Sequence, residues 1–285
     1  MGQANKLRKR LEQPGVVVAP GCYDGMSALL VAEAGFEVAY ASGGAIARST
    51  GIPDLGLMSL SDIGERLATI VDAVSIPVIA DLDTGHGNAL NARHAVRVFE
   101  RAGVAGFHVE DQTFPKRCGH LDDKGVVPTR EFTQKIRAIR DALQTDMVVI
   151  ARTDAIAVEG FEAALERAHA YAEAGADVVF VEAPETEDQI REIARQLPYP
   201  KLINMFHSGK TPLMAVDELG AMGYKLVIVP SDTQRAAIAA MRRVLSAIRD
   251  DGHSGRLVDE LCSFGERESL IDTQRWLDAG KRFES

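Results

Sequence analysis

Five consecutive residues, Lys116-Arg117-Cys118-Gly119-His120, set a thiol between two cationic side chains and an imidazole, with a glycine that lets the backbone turn. Such neighbours depress a thiol's pKa, and a thiol exposed among them is reactive. The segment follows Val109-Glu110-Asp111, an acidic pair closing an apolar run. The chemistry expected of it is acid/base or nucleophilic, with Cys118 as the acting group. A solvated basic loop that happens to hold a cysteine has the same letters, so other residues must decide between the two.

Those residues are acids and cations at the ends of apolar runs. Asp81 and Asp83 are two apart on an extended end, so both carboxylates can point to one side. Glu110 ends the next run, and Asp54, in the loop Gly51-Ile52-Pro53-Asp54-Leu55-Gly56, can reach in from outside. Carboxylates that converge repel one another unless a cation lies among them. All-oxygen ligation with few protein donors suits Mg2+, with Mn2+ as the substitute. Arg152, Glu182 and Asn204 end later runs, and Arg235 follows the last. Ser42-Gly43-Gly44 offers a hydroxyl and unobstructed backbone N–H groups, which suit a carboxylate or phosphate oxygen. His86 and His108 read as hydrogen-bonded spacers and stay outside the catalytic set.

The apolar runs that must position these groups number about eight. They are Val16–Pro20, Glu37–Ala41, Pro77–Asp81, Gly106–Glu110, Met147–Arg152, Val178–Glu182, Lys201–Asn204 and Leu226–Pro230. They are continuous and rich in Val and Ile, as strands buried on both faces are. Amphipathic segments separate them, at Met26–Ala34, Ser61–Ala73, Ala89–Ala102, Thr129–Leu143, Phe161–Ala174, Thr186–Gln196 and Asp217–Met222. Three of these end in Ala-Gly, with glycine where a left-handed cap is wanted. Repeated strand, loop and helix imply a parallel sheet, and eight units favour a closed (β/α)8 barrel with its site at the carboxyl ends of the strands. An open doubly wound sheet favours a GxGxxG turn after the first strand, which is absent here. Residues 1–285 therefore read as one barrel domain. Residues 250–285 form a C-terminal helical arm, with Leu257–Phe264 and Leu270–Phe283 helical, suited to packing on a neighbouring subunit.

Composition narrows the function. A net charge of −9 with no basic block makes a poor nucleic-acid or membrane-surface binder. Three widely spaced cysteines (Cys22, Cys118, Cys262) form neither a disulfide framework nor a zinc motif, which fits a reducing compartment. The polar, basic Met1–Arg10 has no apolar core of a signal peptide, and no apolar run approaches the ~18 residues of a membrane span. A soluble, cytoplasmic protein is expected.

Taken in order, Ser42-Gly43-Gly44, Asp81-Leu82-Asp83, Glu110-Asp111, Lys116-Arg117-Cys118-Gly119-His120 and Arg152-Thr153-Asp154 resemble the isocitrate lyase/phosphoenolpyruvate mutase superfamily, from about Val16 to Arg243. Within it the chain looks like the short lyases, 2-methylisocitrate lyase and 2,3-dimethylmalate lyase. The resemblance implies a (β/α)8 barrel, a helix swapped between subunits, a homotetramer and Mg2+. The cysteine loop favours the carbon–carbon lyases over the phosphonate- and oxaloacetate-acting branches. Asn204-Met205-Phe206-His207-Ser208-Gly209-Lys210-Thr211-Pro212 departs from the methylisocitrate lyase pattern and looks more like the dimethylmalate lyase branch.

The chemistry then expected is retro-aldol cleavage of a 2-hydroxy acid. Asp83, Asp81, Asp54 and Glu110 form the metal set. Tyr40 or a metal-held water is the base, Arg152 steadies the oxyanion, and Cys118 protonates the carbanion, tuned by Lys116 and His120. Ser42, Gly43, Gly44, Glu182, Asn204 and Arg235 bind substrate. Thr113 to Pro128 reads as a closing lid. A phosphonate mutase or hydrolase, or an oxaloacetate hydrolase or decarboxylase, on the same barrel is the competing enzyme reading. A barrel that only binds or supports is the non-enzymatic one.

Overall fold

In the computed structural model, which describes residues 2–117, 119 and 123–283, the eight runs become eight parallel strands. These are β1 (Val17–Cys22), β2 (Ala39–Ala41), β3 (Val78–Asp81), β4 (Gly106–Glu110), β5 (Val148–Thr153), β6 (Val178–Val181), β7 (Lys201–Asn204) and β8 (Tyr224–Val229). Each pairs with its sequence neighbours, and β8 returns to β1, closing the barrel.

The register decides which side chains meet. Tyr40 lies beside Ile79, Asp81 beside His108, Glu110 beside Arg152 and Arg152 beside Phe180. Leu202 lies beside Phe180, and Asn204 beside Ile228. Because strand side chains alternate, these residues and those two positions away from them share the inner face. Lower in the barrel that face is apolar, with Val17, Ala19, Ile79, Val148, Ile150, Leu202 and Leu226 in one cluster. One step toward the carboxyl ends it becomes Asp81, Glu110, Arg152, Glu182 and Asn204. The alternate residues, such as Ala80, Phe107, Val109, Val149, Val179 and Val227, pack outward against the helices.

The helices are α1 (Gln3–Glu12), α2 (Gly25–Glu33), α3 (Gly43–Ser49), α4 (Leu60–Ala73), α5 (Ala89–Ala102), α6 (Thr129–Ala142), α7 (Ile156–Glu159), α8 (Phe161–Glu173), α9 (Glu187–Gln196), α10 (Val216–Ala221), α11 (Asp232–Asp251), α12 (Phe264–Leu270) and α13 (Thr273–Lys281). Ser59 caps α4, its side chain accepting from the Asp62 N–H. The glycines after α2, α5 and α8 (Gly35, Gly103, Gly175) take positive φ of 84°, 81° and 115°, a region a Cβ disfavours.

Four features differ from the sequence expectation. The basic N-terminal segment is helix α1. Its buried Leu7 joins the inner core from below, while Arg8 bonds the Asp146 and Met147 carbonyls and the Asp177 carboxylate. Leu7 and Leu11 are the only strongly apolar residues of α1, too few to announce a helix. Gly43 and Gly44 are the first turn of α3, with Ser42 as its cap, and not a bare turn. The last repeat's helix, α11, runs on to Asp251. Residues 257–264 are not one helix: a 3₁₀ turn over Gly255–Glu260 gives way to α12, capped by Ser263. Among the described residues no helix is long and apolar enough to cross a membrane.

Candidate active site

The carboxyl ends of the strands surround a cavity of about 260 Å3 lined by Tyr40, Ser42, Asp81, Glu110, Arg152, Glu182 and Asn204. That volume lies below the ~300–1,000 Å3 of pockets for drug-sized ligands, so it suits a small acid. Its deepest cation is Arg152. Nε and Nη2 fork onto Asp154 at 2.8 and 3.0 Å, Nη1 lies 3.3 Å from Glu110 Oε2, and Nη2 lies 3.8 Å from Glu182 Oε1. Phe180 backs the guanidinium, 5.3 Å from ring centre to Cζ. Asn204 Nδ2 donates to Glu182 Oε1 at 3.3 Å. Burial would raise the Asp154 carboxyl, but Arg152 and Lys124 overcome it and hold the group well below the usual carboxylate range.

Lys116 turns inward although it belongs to a basic cluster. It is buried, bonds Asp54 Oδ1, and lies 2.7 Å from Asp83 Oδ1. Burial alone would lower its pKa, but Asp83, Asp81, Glu110 and Asp54 raise it well above normal. Its ammonium is therefore the cation that holds Asp54 and Asp83. Asp83 takes a left-handed backbone (φ 49°), donates its N–H to Asp81 Oδ1 at 2.9 Å, and is pushed by burial up to about 6.

Of the four acids expected to hold metal, the structure brings two into a tight set, Asp81 and Glu110, together with His108. One donor atom from each lies within 4.8 Å of the others. The donors fit a hard cation: two are carboxylates, and Glu110 Oε1 is buried without a hydrogen-bond partner among the described residues. His108 Nε2 shares a 2.7 Å hydrogen bond with Tyr40 Oη and lies 3.5 Å from Asp81 Oδ1. Burial lowers the His108 pKa and keeps the ring neutral, so it acts as the spacer its sequence position suggests. Tyr40 does not suit the role of base. Burial, then Asp81, push its phenol well above the usual value, and the proton stays on.

Burial raises the Glu110 carboxyl well above its ordinary range, so a cation binding there competes with a proton. Binding of a divalent cation there is expected to release protons and to tighten as pH rises until Glu110 is ionised, by up to about tenfold per unit for one proton. Calorimetric titration in buffers of different ionisation enthalpy reads both effects. An affinity flat with pH would remove Glu110 from the ligand set.

A family model described as phosphoenolpyruvate phosphomutase matches residues 7–249. The chain belongs to that family. It is 42% identical over 275 residues to the 2-methylisocitrate lyase of Bacillus subtilis (strain 168), covering 96% of this chain and 90% of the relative. The crystal structure of 2,3-dimethylmalate lyase, described as a PEP mutase/isocitrate lyase superfamily member, superposes with a TM-score of 0.94 at 36% identity, covering 100% of this chain and 96% of that one. Phosphonopyruvate hydrolase, solved with oxalate and Mg2+, superposes with a TM-score of 0.91 at 33% identity, each chain fully covered.

In this PEP mutase/isocitrate lyase family member the cysteine loop has a built base. Gln112 clamps it, donating Nε2 to the Arg117 carbonyl at 2.8 Å and accepting the Arg117 N–H at 2.9 Å. Thr113 N bonds Gly125 O and Val127 N bonds Asp111 O, each at 2.8 Å. Lys124 reaches from the loop to the Gly119 carbonyl and to Asp154. A Cβ on Gly119 would collide with Arg152 Nη2 and Glu182 Oε1, so glycine lets the loop lie against the caged arginine. Cys118 and His120 lie outside the described residues. Arg235 lines the mouth, with Nη1 donating to the His207 carbonyl at 2.6 Å. Glycines also let the acids approach α3: a Cβ on Gly43 would lie 2.7 Å from Asp81 Oδ2, and one on Gly44 2.7 Å from Asp54 Oδ2.

Arg48, Gln234 and Ile238 also line the cavity and are absent from the residues the sequence singles out. Arg48 sits six residues before Asp54 on a helix that its two glycines conceal. Gln234 and Ile238 follow a four-residue period with Pro230 toward α11, a signal visible only once that helix is recognised.

Proposed function

We propose that this chain is a Mg2+-dependent carbon–carbon lyase. It cleaves a 2-hydroxy di- or tricarboxylate, of 2-methylisocitrate or 2,3-dialkylmalate type, to a 2-oxo acid such as pyruvate and a second carboxylate. The observation that carries this reading is one ring of inward-facing strand ends. It sets the Asp81–Glu110 oxygen cluster beside the caged Arg152, under the loop that bears Cys118. Carbon–carbon lyase names among the relatives support it.

Asp81 and Glu110 would hold the metal, with Asp83 and Asp54 freed toward it when Lys116 shifts. Bound there, Mg2+ supplies Lewis acidity toward the substrate's hydroxyl and carboxylate oxygens. The chain does the rest. The Ser42 hydroxyl and the first-turn N–H groups of Gly43 and Gly44 seat a carboxylate. Arg152 donates to the oxygen that becomes the 2-oxo carbonyl, where charge develops. Glu182 and Asn204 orient the substrate, and Arg235 pairs with a carboxylate at the mouth. A water at the site would take the hydroxyl proton as the C2–C3 bond pair passes to the departing carbon; the Cys118 thiol protonates that carbon and its thiolate is reprotonated from water, with Lys116 and His120 setting the thiol's proton affinity. Closure of residues 113–128 over the cavity excludes water.

The assembly proposed is a cytoplasmic homotetramer in which the tail packs on a neighbour. Phe264 and Trp276, 72% and 69% exposed in the single chain, give that contact its apolar face.

Release of 2-oxo acid, coupled to lactate dehydrogenase, tests the reading on 2-methylisocitrate, 2,3-dimethylmalate, oxaloacetate and phosphonopyruvate. The expected result is Mg2+-dependent turnover of a malate-type substrate, abolished by EDTA and reduced at least about 100-fold in Cys118→Ser. Turnover of oxaloacetate or phosphonopyruvate alone, indifferent to Cys118, would replace the lyase with the competing branch.

A further inference from the structure

Most cations around the cavity are already committed. Arg152 serves Asp154, Glu110 and Glu182, and Lys116 serves Asp54 and Asp83. Arg235 braces the His207 carbonyl and Asp232. Arg48 differs. Among the described residues its side chain makes no hydrogen bond, and its one ionic neighbour, Asp54 Oδ2, lies 4.0 Å from Nη2. Its side chain is 44% exposed, yet it lines the cavity. Gly44 makes that position available, since a Cβ there would lie 2.9 Å from Arg48 Nη1. Asp54 is shared with Lys116, so its pull on Arg48 is weak. Phe206, Ile228, Pro230 and Ile238 supply the cavity's apolar wall. In a chain of net charge −9, a guanidinium held loosely at the mouth of an otherwise ion-paired cavity is suited to an arriving anion.

We propose that Arg48 is a specificity-determining residue that takes the carboxylate of a CH2COO− substituent on C3 of the substrate. It thereby favours a substrate with a CH2COO− substituent over one with a methyl group. The inference rests on the lyase reading and refines it. The two substrate types differ at that carbon alone. Breaking C2–C3 of 2-methylisocitrate gives pyruvate and succinate; breaking the same bond of 2,3-dimethylmalate gives pyruvate and propionate. In each case the hydroxyl proton is lost and C3 gains one, so neither needs a further reactant. Arg48 reads the added carboxylate, and the apolar wall offers it nothing.

The test compares wild type, Arg48→Met and Arg48→Lys in two arms. Steady-state kinetics give the ratio of kcat/KM for 2-methylisocitrate to that for 2,3-dimethylmalate. Calorimetry with Mg2+ gives the affinities for succinate and propionate without turnover. The ratio and the succinate affinity are each expected to fall about 10- to 100-fold in Arg48→Met, the range of a lost charge-assisted hydrogen bond. Arg48→Lys should recover part of both, because the charge returns without the fork. An unchanged ratio with unchanged succinate affinity overturns the proposal. Equal losses on both substrates, with weaker Mg2+ binding, also overturn it, since Arg48 would then act through Asp54. Turnover of neither substrate with Arg48-dependent succinate binding defeats the lyase reading and leaves the carboxylate site standing. Turnover of 2,3-dimethylmalate by a wild type that does not bind succinate does the reverse.

Discussion

Replacing Arg152 by methionine is expected to lower kcat/KM about 1,000-fold and to cost roughly 3–5 kcal/mol of stability. Both effects have one cause. The guanidinium is nearly buried and lies among Asp154, Glu110 and Glu182. Methionine fills part of the space and rests against Phe180, but it leaves those carboxylates facing one another. Lys124 still holds Asp154 Oδ1 at 2.8 Å, so the uncompensated charge falls mainly on Glu110 and Glu182. Glu110, already raised by burial, then holds its proton more firmly and gives up metal affinity. Arg152→Lys separates the two effects. It restores a charge and part of the stability, but not the donors aimed at once toward Asp154 and the cavity, so kcat stays low. Steady-state kinetics with denaturant unfolding of the three proteins check this. Activity in Arg152→Met within tenfold of wild type would remove Arg152 from the reaction.

The barrel was legible because its strands are buried on both faces. Runs such as Met147–Arg152 and Leu226–Pro230 carry that burial as unbroken Val and Ile. The acids were legible for the same reason: Asp81 and Glu110 interrupt the apolar pattern where a buried strand has no other use for a charge. What a run does not show is register. Asp81 meets His108, and Glu110 meets Arg152, because each strand is stepped against the last. Without that step His108 is a lone imidazole and Tyr40 an available base. With it, the two satisfy each other in a dry layer. Charge clusters were misleading in a different way. Lys116 and Arg117 are neighbours in sequence, yet Lys116 is buried among Asp54 and Asp83 while Arg117 stays exposed at the cavity's edge. The partners that draw Lys116 inward lie 62 and 33 residues away in the chain. Arg48 was invisible for a third reason. Its place in the cavity depends on a helix opened by Gly43 and Gly44, residues whose propensity argues for a turn.

The second large effect is on stability: Asp111→Ala is expected to unfold about 6–15 °C below wild type, for a loss of roughly 3–5 kcal/mol. Asp111 is fully buried and accepts from Thr153 Oγ1 (2.7 Å), Asp154 N (2.9 Å), Tyr171 Oη (2.7 Å) and Arg167 Nη1 (3.2 Å). Arg167 also reaches the Val127 carbonyl at 2.9 Å, where the cysteine loop returns, and forks onto Glu159. One carboxylate thus joins the end of β4, the end of β5, helix α8 and the foot of the loop. Alanine leaves a buried hydroxyl, a phenol and an amide without this acceptor and removes the buried counter-charge of Arg167. Asp111→Asn keeps an acceptor oxygen but brings an NH2 toward donors, so an intermediate loss is expected. The effect on activity should differ in kind from that of Arg152→Met. Below its melting point Asp111→Ala keeps Arg152 and the metal acids. Its loss of kcat should therefore grow with temperature, as the loop's foot and the Asp154 backbone loosen together. Thermal unfolding followed alongside turnover at two temperatures reads both. A melting shift under about 2 °C would show that the network is not what holds this end of the barrel closed.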